Sequence, residues 1–283
     1  MEKVAQVTEE TFERFLKTFI KPSTIDLQEV AFIDPYGMVG LLELGKILKA
    51  DGNENELYLP KSENVLKYLE RMDFFRFAPE YFVLECVKTD VTDRYLRRSH
   101  SDVLLEITAI ERADDIHFIV GKVKKRAHAI LAKHLHYDER AINGFIVALS
   151  EVCQNIIEHS EDMGFVGIQK YYFKNMDKNL VKIAVMDTGI GFRKSLSKRF
   201  SLKSDLQSIE KALLHGASRY RDEGRGHGLA AVRRFVKQWN GKISIRSGTA
   251  KLSIIPEWAW GKERENRLRH FPGAQINILL PEI

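Results

Sequence analysis

The 283-residue sequence is 44% hydrophobic and 29% charged, which excludes an intrinsically disordered chain and a fibrous repeat. At roughly 150 residues per domain, the length predicts two domains, each large enough to bury a core. The net charge of +5 is small, so nucleic acid is not expected as a partner.

The chain has two cysteines, Cys86 and Cys153, and neither belongs to a CxxC motif or a Cys/His cluster. A disulfide framework and a structural zinc site are therefore excluded. No apolar run approaches the roughly 18 to 20 residues that span a bilayer, and the first residues lack the pattern of a signal peptide. The sequence predicts a cytoplasmic protein without a membrane partner.

Up to about residue 87, helical and strand patterns alternate, as is typical of a small α/β domain. Helices are predicted at residues 8–20, 37–48 and 62–72, and strands at residues 27–33 and 56–59. The turn Asp34-Pro35 ends the first strand, and Asp51-Gly52-Asn53 ends the second helix.

Charged residues replace apolar ones between residues 88 and 101, which predicts a linker, and we place the domain boundary between residues 95 and 96. The next patterns predict strands at 103–110, 166–173, 180–186, 242–247, 252–255 and 275–280 and helices at 116–134, 139–158, 206–215 and 229–239. Grouped antiparallel strands with helices on one face predict a two-layer α/β sandwich for residues 96–283.

One helix of the second domain carries Glu151 and Asn155, whose spacing of four places both side chains on one face. A carboxylate in this position can act as a general base. An amide oxygen can complete the shell of a Mg²⁺ ion that keeps water and phosphate as its other ligands. Taken alone, the pair is also compatible with a solvated helix surface.

Two glycine-rich segments follow. The first, DTGIG at residues 187–191, comes after an apolar strand, so its backbone can approach a flat ligand and its carboxylate can accept a hydrogen bond from an amine. The second, GRGHGL at residues 224–229, leads into a helix, whose N-terminal N–H groups favour phosphate. A Rossmann fingerprint is disfavoured because no parallel βαβ unit surrounds the second segment.

In this order and on these elements, the three segments resemble the N, G1 and G2 boxes of the GHKL ATP-binding superfamily, which includes gyrase and the histidine kinases. The likeness covers residues 102–283. It is greatest to the small anti-sigma-factor serine kinases and the histidine-kinase-like ATPase domains. The resemblance implies the Bergerat ATP-binding fold, with ATP and Mg²⁺ as its ligands.

The resemblance also implies a role for each motif position. Asn155 is expected to bind Mg²⁺, Glu151 to act as the general base, and Asp187 to receive the adenine amino group. Glycines are expected to shape the adenine pocket and to wrap the phosphates. The implied nucleotide-binding set comprises Asn155, Asp187, Gly189, Gly191, Gly224, Arg225, Gly226, His227, Gly228 and Leu229.

The sequence departs from the family near its last strand, where Gly273-Ala274 replaces a Gly-Thr pair whose hydroxyl helps to bind adenine. Either a weaker affinity or a substituting water is expected. Between Phe192 and Glu223, several lysines and arginines are expected either to be solvated or to reach the γ-phosphate. His134 and His136 do not begin the string of a phosphoacceptor histidine, which favours surface or core positions for both.

The first domain resembles a STAS domain, the fold of anti-sigma-factor antagonists, in VAFIDPYGMVGLLELGKIL followed by LYLPKSENVLKYLERMDFF. In that family a strand ends at an Asp-Ser-Ser-Gly turn, whose second serine accepts phosphate from a GHKL kinase. Here the turn is Asp34-Pro35-Tyr36-Gly37, which excludes serine phosphorylation although Tyr36 keeps a hydroxyl. The resemblance implies a shared scaffold and interaction surface rather than the phosphorylation chemistry.

Together, these features predict a Mg·ATP-binding regulatory protein, either a serine/threonine-kinase-like enzyme or an ATPase switch. Its expected partner is a protein, a STAS-like or sigma-factor-like regulator, and a homodimer is left open. Two alternatives remain, namely a slow ATPase without phosphotransfer and a non-catalytic nucleotide-sensing interaction module.

Overall fold

The computed structural model describes residues 4–18, 24–52, 54–85, 103–174, 176–218 and 228–283. Residues 4–85 form an N-terminal unit in which short strands and helices alternate, as predicted. Its elements are β1 (Gln6–Val7), α1 (Phe12–Thr18), β2 (Thr24–Asp26), β3 (Phe32–Ile33), α2 (Pro35–Ala50), β4 (Glu56–Tyr58), α3 (Glu63–Arg71), α4 (Phe74–Tyr81) and β5 (Val83–Glu85).

Helix α2 is the central element of this unit and confirms the helix predicted at residues 37–48. It begins where the Asp34 carboxylate accepts a hydrogen bond from the Gly37 N–H at 2.8 Å, with Pro35 in the first helical position. After Ala50 the chain turns through Gly52, which has a φ of 78°. The local signals in the sequence therefore determine both ends of α2.

The single strand predicted at residues 27–33 is wrong. The segment contains only β3, which pairs with β1, while the preceding strand β2 ends at Asp26 and pairs with β4. The Asp26 carboxylate accepts a hydrogen bond from the Gln28 N–H at 2.8 Å, and the Val30 N–H donates to the Leu27 carbonyl at 2.9 Å. These turn contacts end the strand because an aspartate side chain competes for the backbone N–H groups two residues later.

From residue 103 the chain forms a second unit. Its elements are β6 (Val103–Ile110), α5 (Ala113–Ala127), α6 (Lys133–Leu135), α7 (Glu139–Asn155), β7 (Gly164–Phe173), β8 (Lys178–Asp187), α8 (Gly191–Ser197), α9 (Asp205–His215), α10 (Gly228–Gln238), β9 (Lys242–Gly248), β10 (Ala250–Ile254), β11 (Arg264–Glu265) and β12 (Phe271–Pro281). A π-helical turn at His128–Ala132 joins α5 to α6, and a second at Ile156–Ser160 extends α7. None of the described helices is long and apolar enough to cross a membrane.

The largest sheet among the described residues has seven strands in the order β11-β10-β9-β12-β8-β7-β6, all antiparallel to their neighbours. The predicted β7–β8 hairpin is confirmed, with Gly164 opposite Asp187 at its open end. Helices α5, α7, α9 and α10 cover one face through an apolar core that includes Phe145, Ile183 and Ile245. The predicted sheet and its one-sided helical layer are both present.

The other face of this sheet is covered by the N-terminal unit, an arrangement that the sequence did not predict. Phe165 and Met186 on the sheet share one buried apolar cluster with Phe12 and Met38. Helix α2 makes the main contact, lying on β7 and β8. The N-terminal unit thus adds a third layer because this sheet face also carries apolar side chains that need burial.

Ion pairs surround the apolar part of this interface. The sheet contributes Lys182, Lys242 and Arg246, which pair with Asp34, Glu9 and Glu13 of the N-terminal unit, in that order. Lys251 on β10 also contacts Glu9 at 3.2 Å. The predicted linker and the boundary between residues 95 and 96 lie outside the described residues.

Helix α4 and helix α8 were missed by the sequence patterns because both are short. The sequence of α4 also contains Pro79, which usually ends helices. Burial of Phe74, Ala78 and Tyr81 against the rest of the N-terminal unit nevertheless stabilises α4. Tertiary packing rather than intrinsic propensity therefore determines α4.

Candidate functional site

Helix α7 positions Glu151 and Asn155 one turn apart near its C-terminal end. The helix begins at a cap in which the Asp138 carboxylate accepts a hydrogen bond from the Ala141 N–H at 2.7 Å. Its opposite face is buried through residues such as Leu149. The Asn155 amide nitrogen donates to the Glu151 carbonyl at 2.7 Å, which leaves the Asn155 side-chain oxygen to face a ligand.

The Glu151 carboxylate lies beside the first residue of α10. A Cβ atom on Gly228 would come within 2.5 Å of the Glu151 Oε2 atom, so only glycine fits here without a shift. Partial burial raises the pKa of Glu151, and the nearby Glu158 carboxylate raises it further. A carboxylate with a raised pKa is a more effective proton acceptor near neutral pH.

Asp187 is the last residue of β8 and is only 5% exposed. Its Oδ1 atom accepts a hydrogen bond from the Gly189 N–H at 2.9 Å. Burial raises the pKa of Asp187 to about 6, although hydrogen bonds from Gly189 and Ser160 oppose this effect. The carboxylate is therefore mainly ionised at pH 7 and can accept a hydrogen bond from an amine.

The two glycines after Asp187 are required by close backbone approach. A Cβ on Gly189 would lie 2.0 Å from the Ser160 carbonyl oxygen, which is an impossible contact. Gly191 has a φ of 69°, a conformation that strongly favours glycine, and it begins α8. These constraints hold the segment of residues 187–191 against the end of α7, and we call it the adenine turn after the role that the resemblance implies.

Ser160 is a residue of this site that the sequence analysis missed. The π-helical turn after Asn155 places the Ser160 carbonyl where it accepts a hydrogen bond from the Ile190 N–H at 2.9 Å. Its hydroxyl lies against the Asp187 carboxylate. The sequence signal was weak, because a π-helical turn has no pattern that distinguishes it from a regular helix end.

The Gly273-Ala274 pair lies beside Asp187, as its alignment with the family's Gly-Thr pair implies. Gly273 has a φ of 73°, and a Cβ there would come within 2.1 Å of the Asp187 carbonyl oxygen. Ala274 lines the cavity and has no hydroxyl to offer. Ser160, from a different element of the fold, also lines the cavity and carries a hydroxyl.

These elements enclose a cavity of about 270 Å³, near the lower end of the roughly 300 to 1,000 Å³ of ligand pockets. Its apolar walls come from both the sheet and the helices. They include Ile156, Val185, Phe192, Leu196, Leu229 and Ile276. The polar groups of Glu151, Asn155 and Asp187 converge on the same space, a combination typical of a site for a flat, partly polar ligand.

The second glycine-rich segment, residues 224–229, is only partly described. Gly224, Arg225, Gly226 and His227 lie outside the described residues. Gly228 and Leu229 form the first turn of α10, and both line the cavity. The N-terminus of this 11-residue helix therefore faces the cavity, where its N–H groups favour an anion.

Several cations of the segment between Phe192 and Glu223 are engaged by neighbouring groups. Arg193 lies 3.8 Å from the Asp205 carboxylate, and Lys198 lies 3.2 Å from the Glu161 carboxylate. Arg199 donates a hydrogen bond to the Ser218 carbonyl at 3.4 Å. These contacts favour the solvated-surface interpretation for the three side chains, while Arg219 and Arg221 are outside the described residues.

Within the described ranges, no group of three or more His, Cys, Asp or Glu side chains could hold a metal ion. The Asn155 side-chain oxygen nevertheless fits a Mg²⁺ ion that takes most of its ligands from phosphate and water, because such an ion needs few protein ligands. The donor set is thus compatible with the role that the resemblance implies for Asn155.

The family described as histidine kinase-, DNA gyrase B-, and HSP90-like ATPase matches residues 142–281. No curated protein matches the chain. The match begins within α7 and ends at β12, so it includes all three motif segments and the described walls of the cavity. Residues 142–281 are therefore identified as a GHKL-type ATPase domain, and a domain of this type implies ATP binding.

Proposed function

We propose that the protein is a Mg·ATP-dependent regulator that changes the state of a protein partner, by phosphotransfer or by ATP-driven conformational change. One observation carries the proposal, namely that Glu151, Asn155, Asp187 and Gly228 all border a single cavity. In this reading Asp187 orients the adenine and the helix end at Gly228 faces the phosphates.

The chain's own groups would then perform the following roles. Asn155 offers its side-chain oxygen to Mg²⁺, which would neutralise charge on the phosphates when bound. Glu151 takes the proton from the attacking hydroxyl or water, which its raised pKa favours. The apolar walls would pack against the adenine ring, while Gly189 and Gly191 allow the adenine turn to approach Ser160 and Gly273 closely.

The kinase type and the STAS-like assignment of residues 1–95 are parts of the same proposal. Parallel pairing of β2, β4 and β5 and the position of the Asp34-Pro35-Tyr36-Gly37 turn at the start of α2 support that assignment. Tyr36 is 2% exposed, so its hydroxyl is not an accessible phosphate acceptor in this arrangement. We therefore place the acceptor on a separate STAS-like or sigma-factor-like protein.

The test is an incubation of the purified chain with Mg²⁺ and γ-labelled ATP, with and without cell lysate. Glu151→Gln should reduce release or transfer of the label by about 10²-fold or more, while ATP affinity changes little. Glu139→Gln, at the exposed beginning of the same helix, is the matched control and should retain turnover. Equal turnover in Glu151→Gln and the unmodified chain would contradict the general-base role. Binding without turnover in either would instead support a nucleotide-sensing module.

A further inference from the structure

Helix α2 of the N-terminal unit contacts the adenine turn through a buried polar network. The Thr188 hydroxyl lies 3.1 Å from the Glu43 Oε2 atom and 3.1 Å from the Asp162 Oδ2 atom. Lys46, one turn after Glu43, lies 2.8 Å from the same Asp162 carboxylate and donates to the Met163 carbonyl at 2.8 Å. Two residues of α2 therefore reach both the adenine turn and the loop before β7.

The number of protons in this network is constrained. The Thr188 hydroxyl has one proton and can donate it to only one of the two carboxyl groups. Asp162 has the Lys46 ammonium group as a close partner at 2.8 Å, so it is the acceptor of the Thr188 proton. The other 3.1 Å contact, between the Thr188 hydroxyl and Glu43 Oε2, is a hydrogen bond when Glu43 carries a proton and donates it to the Thr188 oxygen. The chain of donors then runs from Glu43 through Thr188 to Asp162.

The surroundings of Glu43 favour this neutral form. Its side chain is 0% exposed, and its Oε1 atom has no hydrogen-bond partner among the described residues. Burial raises the pKa of Glu43 to about 8, although Lys46 at 3.5 Å opposes the effect. The other titratable groups that face it are Tyr81 from α4, Asp162 from the loop before β7 and Asp187 from β8.

We propose that Glu43 and Lys46 are positioning residues for nucleotide binding, which hold the adenine turn in place from the N-terminal unit through Thr188 and Asp162. This inference rests on the proposed contact between Asp187 and adenine. Neither residue lines the cavity, so both act through other side chains rather than on the nucleotide.

The adenine turn has little freedom to absorb a change at Thr188. On one side, Gly189 is packed against the Ser160 carbonyl so closely that even a Cβ atom does not fit. On the other side, Thr188 is held by Glu43. Loss of the proton from Glu43 would place two carboxylates around one hydroxyl and leave a buried charge without a full partner. The turn would then shift, and Asp187, its first residue, would shift with it.

The coupling operates in both directions. If docking of α2 favours the binding-competent adenine turn, nucleotide binding must favour docking of α2 by the same factor. The N-terminal unit therefore acts as a regulator of the ATPase domain within the same chain. This regulation depends on the charge of the Glu43 carboxyl group, which changes slightly above neutral pH because its pKa is raised to about 8.

The test is ADP binding by the full chain, measured by calorimetry between pH 6.5 and pH 9.5. Wild-type affinity should fall about three- to tenfold as the pH rises through the pKa of Glu43, because the neutral form is the competent one. Glu43→Gln is permanently neutral and keeps a hydrogen-bond donor, so its affinity should lack this alkaline decrease. Glu80→Gln, which changes an exposed carboxylate of α4, is the matched control and should retain the wild-type profile.

Two further variants test the route through Thr188. Glu43→Leu and Thr188→Val should each lower ADP affinity about three- to tenfold at pH 7, and the double variant should lose little more. Lys46→Met should have an effect of similar size. Identical pH profiles for Glu43→Gln and the wild type, or additive losses in the double variant, would overturn the inference alone. Failure of the wild type to bind ADP at any pH would overturn the proposed function as well.

Discussion

The interface between the N-terminal unit and the sheet can be tested by Asp34→Asn. Asp34 is 1% exposed and has two roles, since its Oδ1 atom caps α2 and its Oδ2 atom pairs with the Lys182 ammonium group. Asparagine also caps helices well, so the substitution retains the cap and removes only the charge. Lys182 would then keep Glu10, at 4.0 Å, as its remaining carboxylate partner.

Removing one partner of a buried ion pair destabilises a protein by about 3 to 5 kcal/mol, because a charge stays buried without compensation. Burial by itself lowers the pKa of Lys182, but the Asp34 and Glu10 carboxylates outweigh it and raise the pKa, so this lysine carries a full charge at neutral pH. Since Glu10 compensates part of that charge, we expect the lower end, about 3 kcal/mol. For a chain of this size the loss corresponds to a decrease in Tm of roughly 6 to 12 °C.

The assay is denaturant unfolding of the full chain with Asp34→Asn, Lys182→Met and the double variant. Each single variant leaves one buried charge, whereas the double variant leaves neither, so its loss should be smaller than the sum by about 2 to 3 kcal/mol. Lys61→Met breaks an exposed pair with Glu29 and should change the free energy of unfolding by less than about 1 kcal/mol. Additive losses would refute the buried pair, and with it the docking of the N-terminal unit on β8.

Three other predictions concern the nucleotide site. Asp187→Asn should weaken ADP binding by about 1.5 to 3 kcal/mol. The ADP affinity of the wild type should also fall as the pH decreases through about 6, because protonation of Asp187 removes the hydrogen-bond acceptor. In calorimetry, the variant should show no pH dependence beyond that of ADP itself. Gly189→Ala should abolish ADP binding in the same assay, since its Cβ would overlap the Ser160 carbonyl, and unchanged affinity would contradict the position of the adenine turn. Asn155→Ala should remove the dependence of ADP affinity on Mg²⁺ while leaving the circular dichroism spectrum unchanged, and a retained Mg²⁺ effect would exclude Asn155 as the ligand.

Much of the second unit could be predicted from sequence because its signals are local. Strand β6 and the β7–β8 hairpin follow from alternating apolar residues and a polar turn, and α9 follows from its helical periodicity. Short spacings along a helix or a turn determine which side chains lie together, and the motif residues that border the cavity among the described ones are Glu151, Asn155, Asp187, Gly191, Gly228 and Leu229. Their chemical roles stay predictions.

The sequence could not place residues whose position depends on distant partners. Ser160 reaches the adenine turn only because a π-helical turn shifts the end of α7, and no periodic pattern marks that shift. Glu43 was visible as a lone acid in the apolar stretch of α2, but its partner Thr188 lies 145 residues away. Sequence could indicate that such an acid needs a partner, without identifying it.

The sequence by itself therefore determined the helices and strands that have local caps, turns and periodicity, together with the motif residues that line the described part of the candidate site. The tertiary structure alone decided that the N-terminal unit covers the open face of the sheet. That choice rests on contacts such as Asp34 with Lys182, which are 148 residues apart. Apolar burial drives such docking without direction, and only the three-dimensional match of shape and charge selects the surface on which it occurs.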